Sequence, residues 1–214
     1  MKVIHAILLL GFCLVRVSSA STIRVEPDNF PNLSTISVEG VTLSLTEGDG
    51  QIKPDWAIIS LNEFGIPSTG TSFFGASSAA GLTGQFFLNA QLRADFASLM
   101  QAVSIDFIGC CQPGLPATIG TLQAFDLSGA LVGSYTTAPL SRNVVETGTV
   151  ALPNAEIAYI LAGIRDGSNA TSLDNLVAAR VPEPDPMLLL GAGLVLGSIV
   201  WRKRKTYQKE VEGR

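Results

Sequence analysis

The residues able to do chemistry are unevenly spread along these 214 positions. The single histidine, His5, stands near the N-terminus inside an apolar run. Nothing after it offers an imidazole, so neither a Ser-His-Asp nor a Cys-His arrangement can be assembled downstream. A His-based zinc site is excluded for the same reason. Cys110 and Cys111 are adjacent. They can close a strained vicinal disulfide, cross-link two chains, or act as small apolar residues at a strand end. Asp106, Asp126, Asp166 and Asp174 are the candidate ligands of a structural calcium ion, because hard cations take carboxylate and carbonyl oxygens. No run has the spacing of an EF-hand loop, and Asp126 and Asp166 read equally well as turn formers. Paired carboxylates can also make a glycosidase, but a chain with eighteen acidic residues pairs some by accident. The expectation is therefore a protein that is not an enzyme, with a carboxylate-based hydrolase as the lesser alternative. Trp56, Tyr135 and Tyr159 can form a stacking platform for sugars, although aromatics in strands more often pack a core.

The elements that must position these residues read as strands. Thr22-Ile23-Arg24-Val25 suggests one edge strand after the N-terminal run. From Ile36 the period is two: Ile36 and Val38, then Val41, Leu43 and Leu45. Glu47-Gly48-Asp49-Gly50 is a turn, and Trp56 to Leu61 a short apolar strand. Gly65 to Gly84 reads as a long loop or two short strands. Phe86 to Met100 fits helical spacing at Leu88, Leu92, Phe96 and Leu99, but its neighbours favour a strand. Val103-Ser104-Ile105-Asp106-Phe107 alternates cleanly, with odd positions toward a core and even ones toward water. Thr121 to Phe125, an Asp-Leu-Ser-Gly turn and Ala130 to Tyr135 make a hairpin. Val144-Val145, Thr149 to Leu152, Ile157 to Ile164 and Leu173 to Val177 supply the rest. Many short strands with frequent turns predict one all-β domain over residues 21–180, an antiparallel sandwich or jelly roll.

Both ends read as export and anchoring signals. Lys2, the apolar stretch Ile4 to Val15 and small residues Ser18-Ser19-Ala20 predict a signal peptide over residues 1–20. Cleavage is expected between Ala20 and Ser21, which implies signal peptidase and the secretion machinery as partners. Cys13 follows Phe12 rather than a small residue, which argues against a lipoprotein. At the other end, Val181-Pro182-Glu183-Pro184 is extended, because proline fixes φ and lacks a backbone N–H. Residues 187–201 carry no charge. As a helix they span about 22 Å, short against a hydrocarbon core of roughly 30 Å, so flanking stems must reach the interface. Arg202, Lys203, Arg204 and Lys205 then form a basic stop that places residues 206–214 on the cytoplasmic side. Membrane lipid is thus an expected partner. Between the two ends, residues 21–186 hold six cations and sixteen carboxylates, a net charge of about −10. Such a body suits no nucleic acid.

The tail from Val181 through Leu188-Leu189-Leu190-Gly191-Ala192-Gly193-Leu194 to the basic run closely resembles the PEP-CTERM sorting signal of Gram-negative bacteria. That resemblance implies recognition by exosortase, a multi-pass membrane protease or transpeptidase, and delivery to the cell surface. It also implies a setting of exopolysaccharide and biofilm. The stretch from Val103 to Val177 resembles the β-sandwich bodies common among such proteins, which implies a fold and not an activity. The expected function is that of an exported surface or matrix protein. A carbohydrate-binding module on the same anchor is the alternative.

Overall fold

The computed structural model describes residues 21–47, 50–62, 66–87, 90–109, 116–164 and 169–180. The signal peptide, Cys110, Cys111, Asp166 and everything from Val181 onward, including the sorting motif, apolar segment and basic stop, lie outside the described residues. Among the described residues no helix is long and apolar enough to cross a membrane.

The strands are β1 (Ser21–Val25), β2 (Val41–Thr46), β3 (Ala57–Leu61), β4 (Phe73–Ser78), β5 (Gly81–Thr83) and β6 (Gln91–Met100). They continue as β7 (Ala102–Gly109), β8 (Gly120–Phe125), β9 (Leu131–Thr136), β10 (Val145–Ala151), β11 (Ile157–Ile164) and β12 (Thr171–Arg180). They form two antiparallel sheets. One has seven strands, in the order β10-β7-β12-β4-β3 with β1 against β12 and β5 against β4; the other has five, in the order β2-β6-β11-β8-β9. The architecture is an all-β sandwich, as the period-two pattern predicts.

Most of the predicted strands form, with shifted ends. The Gly65–Gly84 stretch contains two short strands, β4 and β5, which pair with each other. The ambiguous Phe86–Met100 stretch yields the ten-residue β6, flanked by β2 and β11. Sheet pairing on both sides overrides its partial helical spacing. Ile36 and Val38 join no strand; Val38 makes only a bridge to Val41 across a tight turn. That turn needs Gly40, whose φ of 82° lies in the left-handed region.

The core lies between the sheets. Val103, Ile105 and Phe107 of β7 are buried against an apolar cluster that includes Leu92, Leu122, Ala124, Ile160, Ala162 and Leu173. Phe107 sits where two glycines make room. A Cβ at Gly120 would stand 2.3 Å from Phe107 Cδ1, and one at Gly148 would stand 2.7 Å from Phe107 Cε2. Full burial of such a ring contributes about 3 kcal/mol.

Within Val103–Phe107 the predicted alternation fails at Asp106, and the next even residue, Ile108, is buried as well. Ser104 is half-buried as expected, but Asp106 is only 5% exposed and does not face water. A segment outside the sheets, residues 66–72, packs over it.

Candidate functional site: a polar–aromatic sheet face and a buried carboxylate pair

Two places in the sandwich gather chemistry. The first arises from a break in the pairing of β12. Its early residue Leu173 pairs with Phe74 of β4, while Leu176 to Arg180 pair with β1 on the same side. Where one neighbour gives way to the other, the register with β7 shifts between Asp174 and Val177. Asn175 takes up the change with a φ of 48°, a conformation that Asn tolerates better than most residues. The gap is filled by side chains and by Ser68 and Thr69. Their backbone N–H groups donate to Asp174 Oδ2 at 2.9 and 3.1 Å.

Asp174 and Asp106 are directly opposed across β12 and β7. Ser68 Oγ lies 2.7 Å from Asp106 Oδ2 and 2.8 Å from Asp174 Oδ2. A hydroxyl has one hydrogen, so Ser68 donates to one of these oxygens at a time. The second contact becomes a hydrogen bond when the Asp174 carboxyl keeps its proton. Burial pushes the Asp174 carboxyl above the ordinary range, opposed by the Thr69 and Ser68 donors. Thr147 Oγ1 donates to Asp106 Oδ1 at 2.5 Å, and Asn175 Nδ2 to Asp106 Oδ2 at 3.2 Å. Nearby, Thr69 Oγ1 donates to Glu26 Oε1 at 2.9 Å, and Thr71 N to Asp28 Oδ1 at 2.7 Å. Burial raises Glu26 as well, helped by the negative charges of Asp174 and Asp28.

Of the four predicted calcium candidates, the fold therefore brings Asp106 and Asp174 together. Asp126 stands apart, in the turn between β8 and β9. There its Oδ1 accepts from Ser128 N, Ser128 Oγ and Ala130 N at 2.7–2.9 Å, which lowers its pKa. Among the described residues no group of three or more His, Cys, Asp or Glu is placed to hold a metal ion. Asp174 has no exposure, so bulk substrate does not reach the pair.

The second place is the outward face of the five-stranded sheet. Register puts Asp95, Tyr159 and Phe125 in one row across β6, β11 and β8. Thr42 of β2 and Leu131 of β9 extend it at either end. The Tyr159 and Phe125 rings are stacked, with centroids 4.8 Å apart and planes 6° from parallel. From the β6 side, Arg93 sets its Cζ 3.9 Å from the Tyr159 ring centre. Arg93 Nε and Nη2 donate to Asp95 Oδ2 and Oδ1 at 2.8 and 2.6 Å, a bidentate pair that holds the guanidinium charged and in plane.

The three aromatic candidates separate here. Trp56 and Tyr135 pack against the core, and Tyr135 OH donates to Glu146 Oε1 at 2.7 Å. Tyr159 alone belongs to the outer face, and both of its ring faces are covered by Phe125 and Arg93. Phe125 is half-buried, with Tyr159 stacked on it from β11 and Leu131 of β9 opposite it. Arg93, Asp95 and Phe125 escape sequence inspection, because only strand register makes them neighbours.

The body is a β-sandwich module, and the segment after it is an address. Residues 180–205 match the family model for the PEP-CTERM protein-sorting motif. The chain therefore carries a PEP-CTERM protein-sorting motif directly after the sandwich. A search of curated proteins finds no match to its sequence. Among solved structures it is similar to the CBM22-1 xylan-binding domain of Paenibacillus barcinonensis Xyn10C. That match has 10% identity and a TM-score of 0.42, covering 77% of this chain and 98% of that one. The K2 cleaved adhesin domain of Lys-gingipain matches at 13% identity and a TM-score of 0.45, covering 74% and 99%. The C-terminal family 22 carbohydrate-binding module of Clostridium thermocellum Xyn10B matches at 11% and 0.39, covering 67% and 88%. These are distant likenesses of overall fold and assign neither a ligand nor a residue.

Proposed function

We propose that this chain is a non-enzymatic surface protein of the extracellular polysaccharide matrix. In this reading it is exported by its N-terminal signal and held in the membrane by residues 187–201. Exosortase then processes it near Val181-Pro182-Glu183-Pro184. The observation that carries the reading is the sorting motif and its position. The motif begins at residue 180, where the last strand of the sandwich, β12, ends at Arg180. A cut at the proline motif therefore leaves every described strand intact. A function that survives removal of the tail needs such a boundary.

The test is mass spectrometry of the mature protein from its native host. The expected product begins near Ser21 and lacks the apolar segment. Recovery of the uncut chain from the cytosol overturns the proposal. The second reading, a carbohydrate-binding module on the same anchor, is favoured by the Arg93–Asp95–Tyr159–Phe125 face. It is compatible with the same delivery.

A further inference from the structure

The outward face of the five-stranded sheet is closed at one end and open at the other. Residues 50–53 fold over the closed end, where Gly50 lies against Leu161 and Lys53 N donates to Leu45 O. Beside that edge, Ser44 is 9% exposed and its Oγ has no hydrogen-bond partner. Register places Ser44 next to Arg93. A buried hydroxyl without a partner costs about 1–3 kcal/mol, and its cross-strand neighbour is Arg93. Arg93 commits two of its five N–H groups to Asp95. Arg93 stands in this row, opposite Leu161, and its guanidinium reaches Asp95 in the next row toward the open end; the two side chains are 20% and 35% exposed. Leu131, opposite Phe125, is 54% exposed.

We infer that this open half-face binds a neutral polysaccharide strand, with Arg93 and Asp95 as its hydrogen-bonding pair and Phe125 with Leu131 as its apolar seat. The inference rests on the reading of the chain as an exported matrix protein. Sugar hydroxyls donate and accept from the same oxygen, and vicinal hydroxyls need a donor and an acceptor side by side. The Arg93–Asp95 fork supplies both, already fixed in one plane, so little order is lost on binding. Sugar C–H faces need an apolar or aromatic surface, and exposed Leu131 beside half-buried Phe125 provides it. Tyr159 is a positioning residue, because its ring keeps Arg93 and Phe125 on either side. Charge favours a neutral ligand. Asp95 cancels Arg93, and the body's net charge of about −10 repels polyanions.

The experiment uses residues 21–180, which contain every described strand and the whole core. Affinity electrophoresis is run in gels containing cellulose derivatives, xylan, β-1,3-glucan or galactomannan, with alginate as the acidic arm. Retardation is expected in at least one neutral gel, persisting at high salt, with none in alginate. Phe125→Ala and Arg93→Lys should each weaken it about tenfold or more. Arg93→Lys keeps the charge and removes the fork, and circular dichroism checks that both variants fold. Tyr135→Phe, on the core side of the same sheet, should bind as the wild type does. Three outcomes overturn the inference: no retardation in any neutral gel, retardation in alginate alone, or variants that bind like the wild type. Normal surface delivery and processing with any of these defeats the site alone; a cytosolic, uncut chain defeats the reading beneath it.

Discussion

Asp174 is held by N–H and O–H donors of a crossing segment, and the charge it carries is costly there. Because burial raises its pKa in the fold, folding takes up a proton at this site. The stabilisation is complete below the unfolded carboxylate value, near 3.9, and is lost as pH rises through the higher folded value. Wild type should therefore lose stability relative to Asp174→Asn as pH increases through that window, as read from urea midpoints. If a calcium ion occupied the pair, added calcium would flatten that dependence by stabilising the charged form. Ser68→Ala removes the hydroxyl shared by Asp106 and Asp174. It should cost about 1–3 kcal/mol, seen as a lower denaturant midpoint with an unchanged slope. The two aspartates are legible as polar residues in the sequence. Their pairing is not, because alternation alone points Asp106 to water.

At the scale of elements, β7 carries the core and the glycines facing it set its fit. Gly120 lies on β8, and its missing Cβ is the space that Phe107 occupies. Gly120→Ala should destabilise by about 1–3 kcal/mol through overpacking, measured by chemical denaturation. Phe107→Ala should cost about 3–5 kcal/mol through the cavity it leaves. The hairpin of β8 and β9 is readable because Asp126 and Gly129 carry its turn. Asp126 accepts from the turn's own N–H groups, and Gly129 has a φ of 82°. β6 is harder to read. Its apolar residues meet both templates, and only the strands on either side of it, β2 and β11, decide between them.

On the scale of the whole molecule, the sandwich ends and the sorting signal begins at the same residue, Arg180. Replacing Pro182 and Pro184 by Ala should therefore leave the melting temperature of the body unchanged while the unprocessed precursor accumulates, as followed by immunoblot of membrane fractions. The sorting motif is legible in the sequence because it is linear: proline motif, apolar run and cations follow one another directly. The all-β class is legible as well, since period-two alternation reports one buried face of each strand. What the tertiary structure decided is which residues share a surface. Tyr159, Phe125 and Arg93 lie on three strands far apart in the chain, and a register shift of one residue would turn each to the opposite face. Asp106 and Asp174 meet for the same reason. Their pairing is set by hydrogen bonds between strands, which no local run of residues encodes.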